Sequence, residues 1–111
     1  MSKVIFQTGG VIAVLGLVLA FGLPTRADDA SAALYKSKCA GCHGPDGAGQ
    51  TAAGKAMKAG DFHDADVQKM SDADLTTLIS MGKGKMPAYG KMLKPEEIKG
   101  LVAYVHELGK K

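Results

Sequence analysis

The sequence predicts an all-α fold of three to four helices. Three segments repeat apolar residues at helical spacing, and no stretch alternates apolar and polar residues as a half-buried strand does. A third observation qualifies that class. The chain has 111 residues, no Trp, and five glycines between Gly44 and Gly60. A chain this short fills little core on its own and usually needs a staple, a metal or a cofactor. Something other than side chains is therefore expected to complete the interior. A multidomain enzyme, a large catalytic barrel and a multi-span membrane protein are excluded by length.

The N-terminus reads as an address. Met1 to Lys3 is a short n-region with one lysine, and Val11 to Leu23 is an unbroken apolar run. Pro24 breaks any helix, and Thr25-Arg26-Ala27 puts small residues at −3 and −1 of a cut before acidic Asp28-Asp29. This layout predicts a secretory signal peptide, residues 1–27, cleaved after Ala27. The rival is an uncleaved anchor, because Val4 to Leu23 is about the length that spans a bilayer. Gln7, Thr8, Gly9 and Gly10 weaken that span. Both readings put residues 28–111 outside the cytoplasm, with a periplasmic location expected. The net charge of +3 falls to +1 without Lys3 and Arg26, leaving 12 basic residues against 11 acidic ones. A near-neutral domain makes no case for binding nucleic acid.

The first helix is expected from about Asp29 to Cys39, with Ala32, Tyr35 and Cys39 at helical spacing. Next comes a long loop, Gly44 to Gly60, with Met57 as its main apolar anchor. Loops longer than about 12–15 residues are usually functional or disordered, and a ligand lying against this one would explain its length. Ser71-Asp72-Ala73-Asp74 resembles a capping box and starts the second helix. Its apolar stripe is Leu75, Leu78 and Ile79, and it stops at Gly82 and Gly84. Pro95 in a first turn, with Glu96 and Glu97 near the positive end of the dipole, opens the third. Ile98, Leu101, Val102, Val105 and Leu108 form its apolar face.

The chemistry sits in Cys39-Ala40-Gly41-Cys42-His43, which holds the chain's two cysteines. C-x-x-C-H is the attachment signal for c-type haem. Two thiols three residues apart on one helical turn can add to the two vinyl groups of one porphyrin edge as thioethers. The next residue, His43, then offers an imidazole nitrogen to the iron. Export fits, since attachment of this kind occurs outside the cytoplasm. Three other readings compete. A structural disulfide needs no adjacent His, a thioredoxin-like pair expects a βαβ setting, and zinc needs about four ligands. His63 and His106 lack a spacing that would complete a zinc site.

One axial position would remain. Met57, Met70, Met81 and Met92 each read as core filler. Met86 differs, because it lies in Gly82-Lys83-Gly84-Lys85-Met86-Pro87-Ala88-Tyr89-Gly90. Glycines permit close backbone approach, and Pro87 restricts Met86 to an extended conformation. Met81 and Met92 are the main rivals, with His63 behind them in a polar stretch. His106 reads as a solvated position beside the apolar face of the last helix.

On these residues the sequence resembles a class I monohaem cytochrome c of the small bacterial type, similar to the cytochrome c modules of cbb3-type oxidases. The resemblance spans roughly Ala30 to Leu108. It rests on Cys39-Ala40-Gly41-Cys42-His43-Gly44, Met86-Pro87-Ala88-Tyr89-Gly90 and Leu101-Val102-Ala103-Tyr104-Val105. It implies that Met86 is the second axial ligand. It also implies that the first and last helices cross, with Ser31 and Tyr35 against Leu101 and Tyr104. Ser31 stands where the family often has Gly, which implies a slightly wider crossing.

A His43/Met86 pair fills both axial positions, which favours one-electron exchange over oxygen activation. The expected function is a monomeric, non-enzymatic electron carrier between exported or membrane-bound redox complexes, with one haem c on Cys39 and Cys42. A haem subunit of a larger oxidoreductase shares that chemistry. A haem enzyme or gas sensor would need a displaceable sixth ligand, and carbon monoxide binding separates those cases. Leu75, Leu78, Ile79, Met81, Leu93, Ile98, Leu101 and Val105 are the expected apolar wall. Lys55, Lys58, Lys83, Lys85, Lys91 and Lys94 are candidates for steering acidic partners.

Overall fold

Six helices follow one another in the computed structural model, which describes residues 26–111 and the side-chain surroundings of 29–111. They are α1 (Arg26–Lys38), α2 (Ala40–His43), α3 (Ala52–Met57), α4 (Ala65–Gln68), α5 (Asp72–Met81) and α6 (Pro95–Gly109). Among the described residues there is no strand, only an isolated bridge between Lys83 and Met86. The all-α class holds. The expected three to four helices become three long ones and three short ones of one to two turns. The expected signal peptide lies outside the described residues, apart from Arg26 and Ala27 in the first turn of α1.

The long helices begin where their chemistry dictates. Ser71 caps α5 by accepting the Asp74 N–H at 3.0 Å, which satisfies one of the orphan donors of the first turn. At α6, Pro95 opens the helix and the Glu97 carboxylate accepts the Lys94 N–H at 2.9 Å. Gly82, at φ +72°, ends α5. All five apolar residues expected on α6 are buried.

The core gathers Tyr35, Phe62, Leu75, Ile79, Leu93 and the apolar face of α6. Met81 is a correction: it is 74% exposed and belongs to no apolar wall. It follows Ile79 by two residues, which at about 100° per residue puts it on the opposite side of α5. The crossing of α1 and α6 also differs from expectation. Ser31 is buried, and the small residue facing it is Gly100, where a Cβ would overlap the Ser31 hydroxyl. Tyr35 and Tyr104 pack as expected, with ring centroids 5.0 Å apart.

Candidate haem site

The cysteine motif is an interrupted helix. Cys39 ends the bonding of α1 by donating its N–H to the Tyr35 carbonyl at 2.8 Å, and the His43 N–H then reaches back to the Cys39 carbonyl at 3.0 Å. The two cysteines thus lie within one turn. Both are half-buried free thiols, and both border one cavity. Burial pushes the Cys39 thiol up to about 11, so it is neutral at physiological pH.

Neighbouring loops hold this turn from outside. The Thr51 hydroxyl lies 2.8 Å from the Gly41 carbonyl and 3.0 Å from that of Cys42, and it accepts the Gly54 N–H at 2.8 Å. One side chain therefore caps α3 and ties it to α2. The Cys42 carbonyl lies so close over Gly54 that no Cβ fits there. From within, the buried Tyr35 hydroxyl donates to the Gly44 carbonyl at 2.6 Å.

His43 is fixed by two contacts. Its Nδ1 is 3.1 Å from the Gly60 carbonyl. A carbonyl only accepts, so Nδ1 carries the proton and Nε2 of the neutral ring keeps its lone pair. The Phe62 ring packs on the imidazole, centroids 4.7 Å apart and planes 31° apart.

Met86 is held by a tight turn. Its N–H donates to the Lys83 carbonyl at 2.9 Å, and its carbonyl accepts from Lys83 at 3.2 Å. Gly82 lets this turn close, since a Cβ there would lie 2.5 Å from the Met86 carbonyl oxygen. Downstream, Tyr89 and Gly90 donate to the carbonyls of Ile79 and Ser80, at 3.0 and 2.9 Å. The Tyr89 hydroxyl donates to the Lys38 carbonyl at 3.1 Å. The turn is thereby pinned to both α5 and α1.

Cys39, Cys42, His43 and Met86 all border a single cavity of about 540 Å³, within the range of about 300–1,000 Å³ usual for cofactor sites. A smaller, almost wholly apolar recess of about 60 Å³ continues it, floored by Leu75, Ile79, Leu101 and Val105. These residues suit a tethered porphyrin. The donor set is two thiols, an imidazole with a free Nε2 and a thioether, and the interior between them is apolar.

Other expectations sort differently. Met81 and Met92 are 74% and 60% exposed and do not border the cavity, whereas Met57 and Met70 do. Met57 is a weak anchor at 48% exposure. The long loop is instead organised by α3 and by Phe62, whose N–H donates to the Gly47 carbonyl at 2.8 Å. His63 pairs with Asp61 at 2.7 Å on the surface. His106 is not simply solvated, since its Nε2 lies 3.1 Å from Asp72. Among the described residues no other group of His, Cys, Asp or Glu could hold a metal ion. Lys58, Lys83 and Lys85 border the cavity together with Lys38, while Lys55, Lys91 and Lys94 do not. Phe62 and Thr51 carry positioning roles that no motif in the sequence signals, whereas Tyr89 belongs to the Met86 motif.

Comparison with known proteins finds c-type cytochromes. A family model described as cytochrome C oxidase, cbb3-type, subunit III, matches residues 26–105. The cbb3-type cytochrome c oxidase subunit CcoP of Azospirillum brasilense is 37% identical over 94 residues, covering 78% of this chain and 32% of that protein. The chain thus spans about a third of the length of that relative. Cytochrome c6 of Nostoc sp. strain PCC 7120 is 35% identical over 107 residues, covering 89% of each chain. Among solved structures, the c-type cytochrome KustC0563 superposes with a TM-score of 0.65 at 36% identity, covering 70% of this chain and 95% of its own. Cytochrome c6C from Synechococcus sp. PCC 7002 does so with a TM-score of 0.53 at 31% identity, covering 74% and 96%.

Proposed function

Because the chain belongs to the cytochrome c family described by subunit III of cbb3-type oxidases, we propose that it carries single electrons on one covalently bound haem c. Cys39 and Cys42 hold the porphyrin as thioethers, and His43 and Met86 are the axial ligands. The observation that carries this reading is the convergence of those four side chains on one apolar cavity. Bound haem supplies the ferric/ferrous couple, and a thioether on the iron favours the ferrous state.

The chain's own residues do the rest. Gly60 holds the Nδ1 proton of His43 and so aims Nε2 inward; such outer partners fix ligand orientation and raise its basicity. The Lys83–Met86 turn fixes the backbone that carries the thioether, which limits how far this ligand moves when the charge changes. Leu75, Ile79, Leu101 and Val105 keep water from the interior. Lys38, Lys58, Lys83 and Lys85 give the mouth of the cavity a positive rim. That rim supports steering towards acidic surfaces of periplasmic or membrane-bound redox partners. The protein works outside the cytoplasm as a monomer, after removal of residues 1–27.

Intact mass and the visible spectrum of the exported protein test this together. The expected mass is that of residues 28–111 plus one haem, and the oxidised form shows the sulfur–iron charge-transfer band. Met86→Ala removes that band and lowers the reduction potential, and the reduced wild type binds carbon monoxide slowly or not at all. A colourless protein, or a band that survives Met86→Ala, overturns the assignment. Electron-transfer rates that do not fall as salt is added sink the steering role of the lysine rim.

A second reading rests on the family description: the same site could serve as the haem subunit of an oxidase. Its ligand chemistry is identical, and haem signal that fractionates with a large membrane complex distinguishes it.

A further inference from the structure

We propose that Phe62 is a positioning residue for His43, setting the plane of the imidazole while Gly60 sets its direction. This inference rests on His43 being an axial ligand. A hydrogen bond through Nδ1 fixes where one ring atom points, but it leaves the ring free to turn about that line. The Phe62 ring, 4.7 Å away and inclined by 31°, removes that freedom.

Phe62 is itself held on every side. Its ring meets the edge of Tyr35 at 6.1 Å and 65°, and Tyr35 is braced in turn by Tyr104 at 5.0 Å. Its N–H donates to the Gly47 carbonyl at 2.8 Å, and its carbonyl accepts from the Gln68 side chain at 2.7 Å. Gly47 is at φ +76°, and a Cβ there would run into the Phe62 ring. The missing side chain at Gly47 is what lets Phe62 reach the imidazole. Gly60 and Phe62 are two residues apart, so one short segment governs both constraints on His43. Aromatic pairs of this kind contribute about 0.5–1.5 kcal/mol beyond burial and prefer defined geometry.

The test uses the haem-loaded protein and reads the ligand plane directly. Phe62→Leu keeps an apolar side chain but loses the flat face. It is expected to shift the ferric electron paramagnetic resonance g-values and to reorder the hyperfine-shifted haem methyl resonances. Phe62→Tyr restores a ring and should return both to the wild-type pattern. A Phe62→Leu protein with a wild-type pattern overturns the proposal, as does a Phe62→Tyr protein that behaves like the Leu variant. Wild type alone supplies a second measurement, should the Leu variant not accumulate. A fixed plane predicts a methyl order that persists on warming, and methyl shifts that collapse towards one another show a turning ligand and overturn it. Absence of haem, or of His ligation, would instead count against the function proposed above.

Discussion

A single buried hydroxyl joins the first helix to the cysteine motif. The Tyr35 oxygen donates to the Gly44 carbonyl at 2.6 Å, and burial raises its pKa well above the ordinary 10.0. A group that holds its proton more tightly when folded contributes fully below its unfolded pKa and loses that contribution as pH rises through the folded value. The stability it lends is thus complete below about pH 10 and declines above it. Tyr35→Phe should cost about 1–3 kcal/mol at neutral pH, since a buried carbonyl loses its donor. The difference from wild type should shrink as pH rises above 10. Denaturant titrations at pH 7 and above pH 10 measure both, and a difference that stays constant across that range contradicts the account. Residue-scale roles of this type are poorly legible in sequence. Phe62 stands between Asp61 and His63 with only Ala59 and Ala65 at helical spacing and no large apolar partner, so the pattern does not mark it as core. Met86 is legible because Gly82, Gly84 and Pro87 constrain the backbone around it, whereas Met57 and Met70 border the cavity through tertiary placement alone.

The elements show the same division. Helices α5 and α6 declare themselves because their ends carry their own chemistry, a capping Ser71 and a Pro95 with Glu97, and because α6 repeats its apolar face over about three turns. Helices α2, α3 and α4 have four to six residues each. Helices that short are marginal alone, since nucleation costs more than one turn returns. They exist through outside contacts such as the Thr51 hydroxyl shared between α2 and α3, which no local pattern records. The crossing of α1 and α6 is legible as a pair of helices, an aromatic contact and Ser31 as the small residue of α1; its second small residue, Gly100 of α6, is not. Gly100→Ala should therefore cost about 1–3 kcal/mol by overpacking, while Ser31→Gly in the same chain should recover most of that loss. A double-mutant cycle by thermal or denaturant melting reads the coupling. Strictly additive effects would mean that the two residues do not share this contact.

At the scale of the molecule, one apolar cluster stands beside a large cavity. Of the buried core side chains, Phe62 and Leu75 border the cavity of about 540 Å³, while Tyr35, Ile79, Leu101 and Val105 border the small recess that continues it and pack into one cluster with the rest. Helices α1 and α5 each pack on α6, and Tyr35 of α1, Leu75 and Ile79 of α5, and Leu101 and Val105 of α6 border the same recess. Removing the porphyrin should thus remove the common surface that orders all three. A chain made without haem maturation, or carrying Cys39→Ala with Cys42→Ala, is expected to lose most of its far-ultraviolet circular dichroism at 222 nm and to melt without a cooperative transition. Heights and melting curves matching the haem-loaded protein would show that side chains alone suffice to hold the cluster, and that the cavity is a docking place added to a finished fold rather than part of what makes it fold.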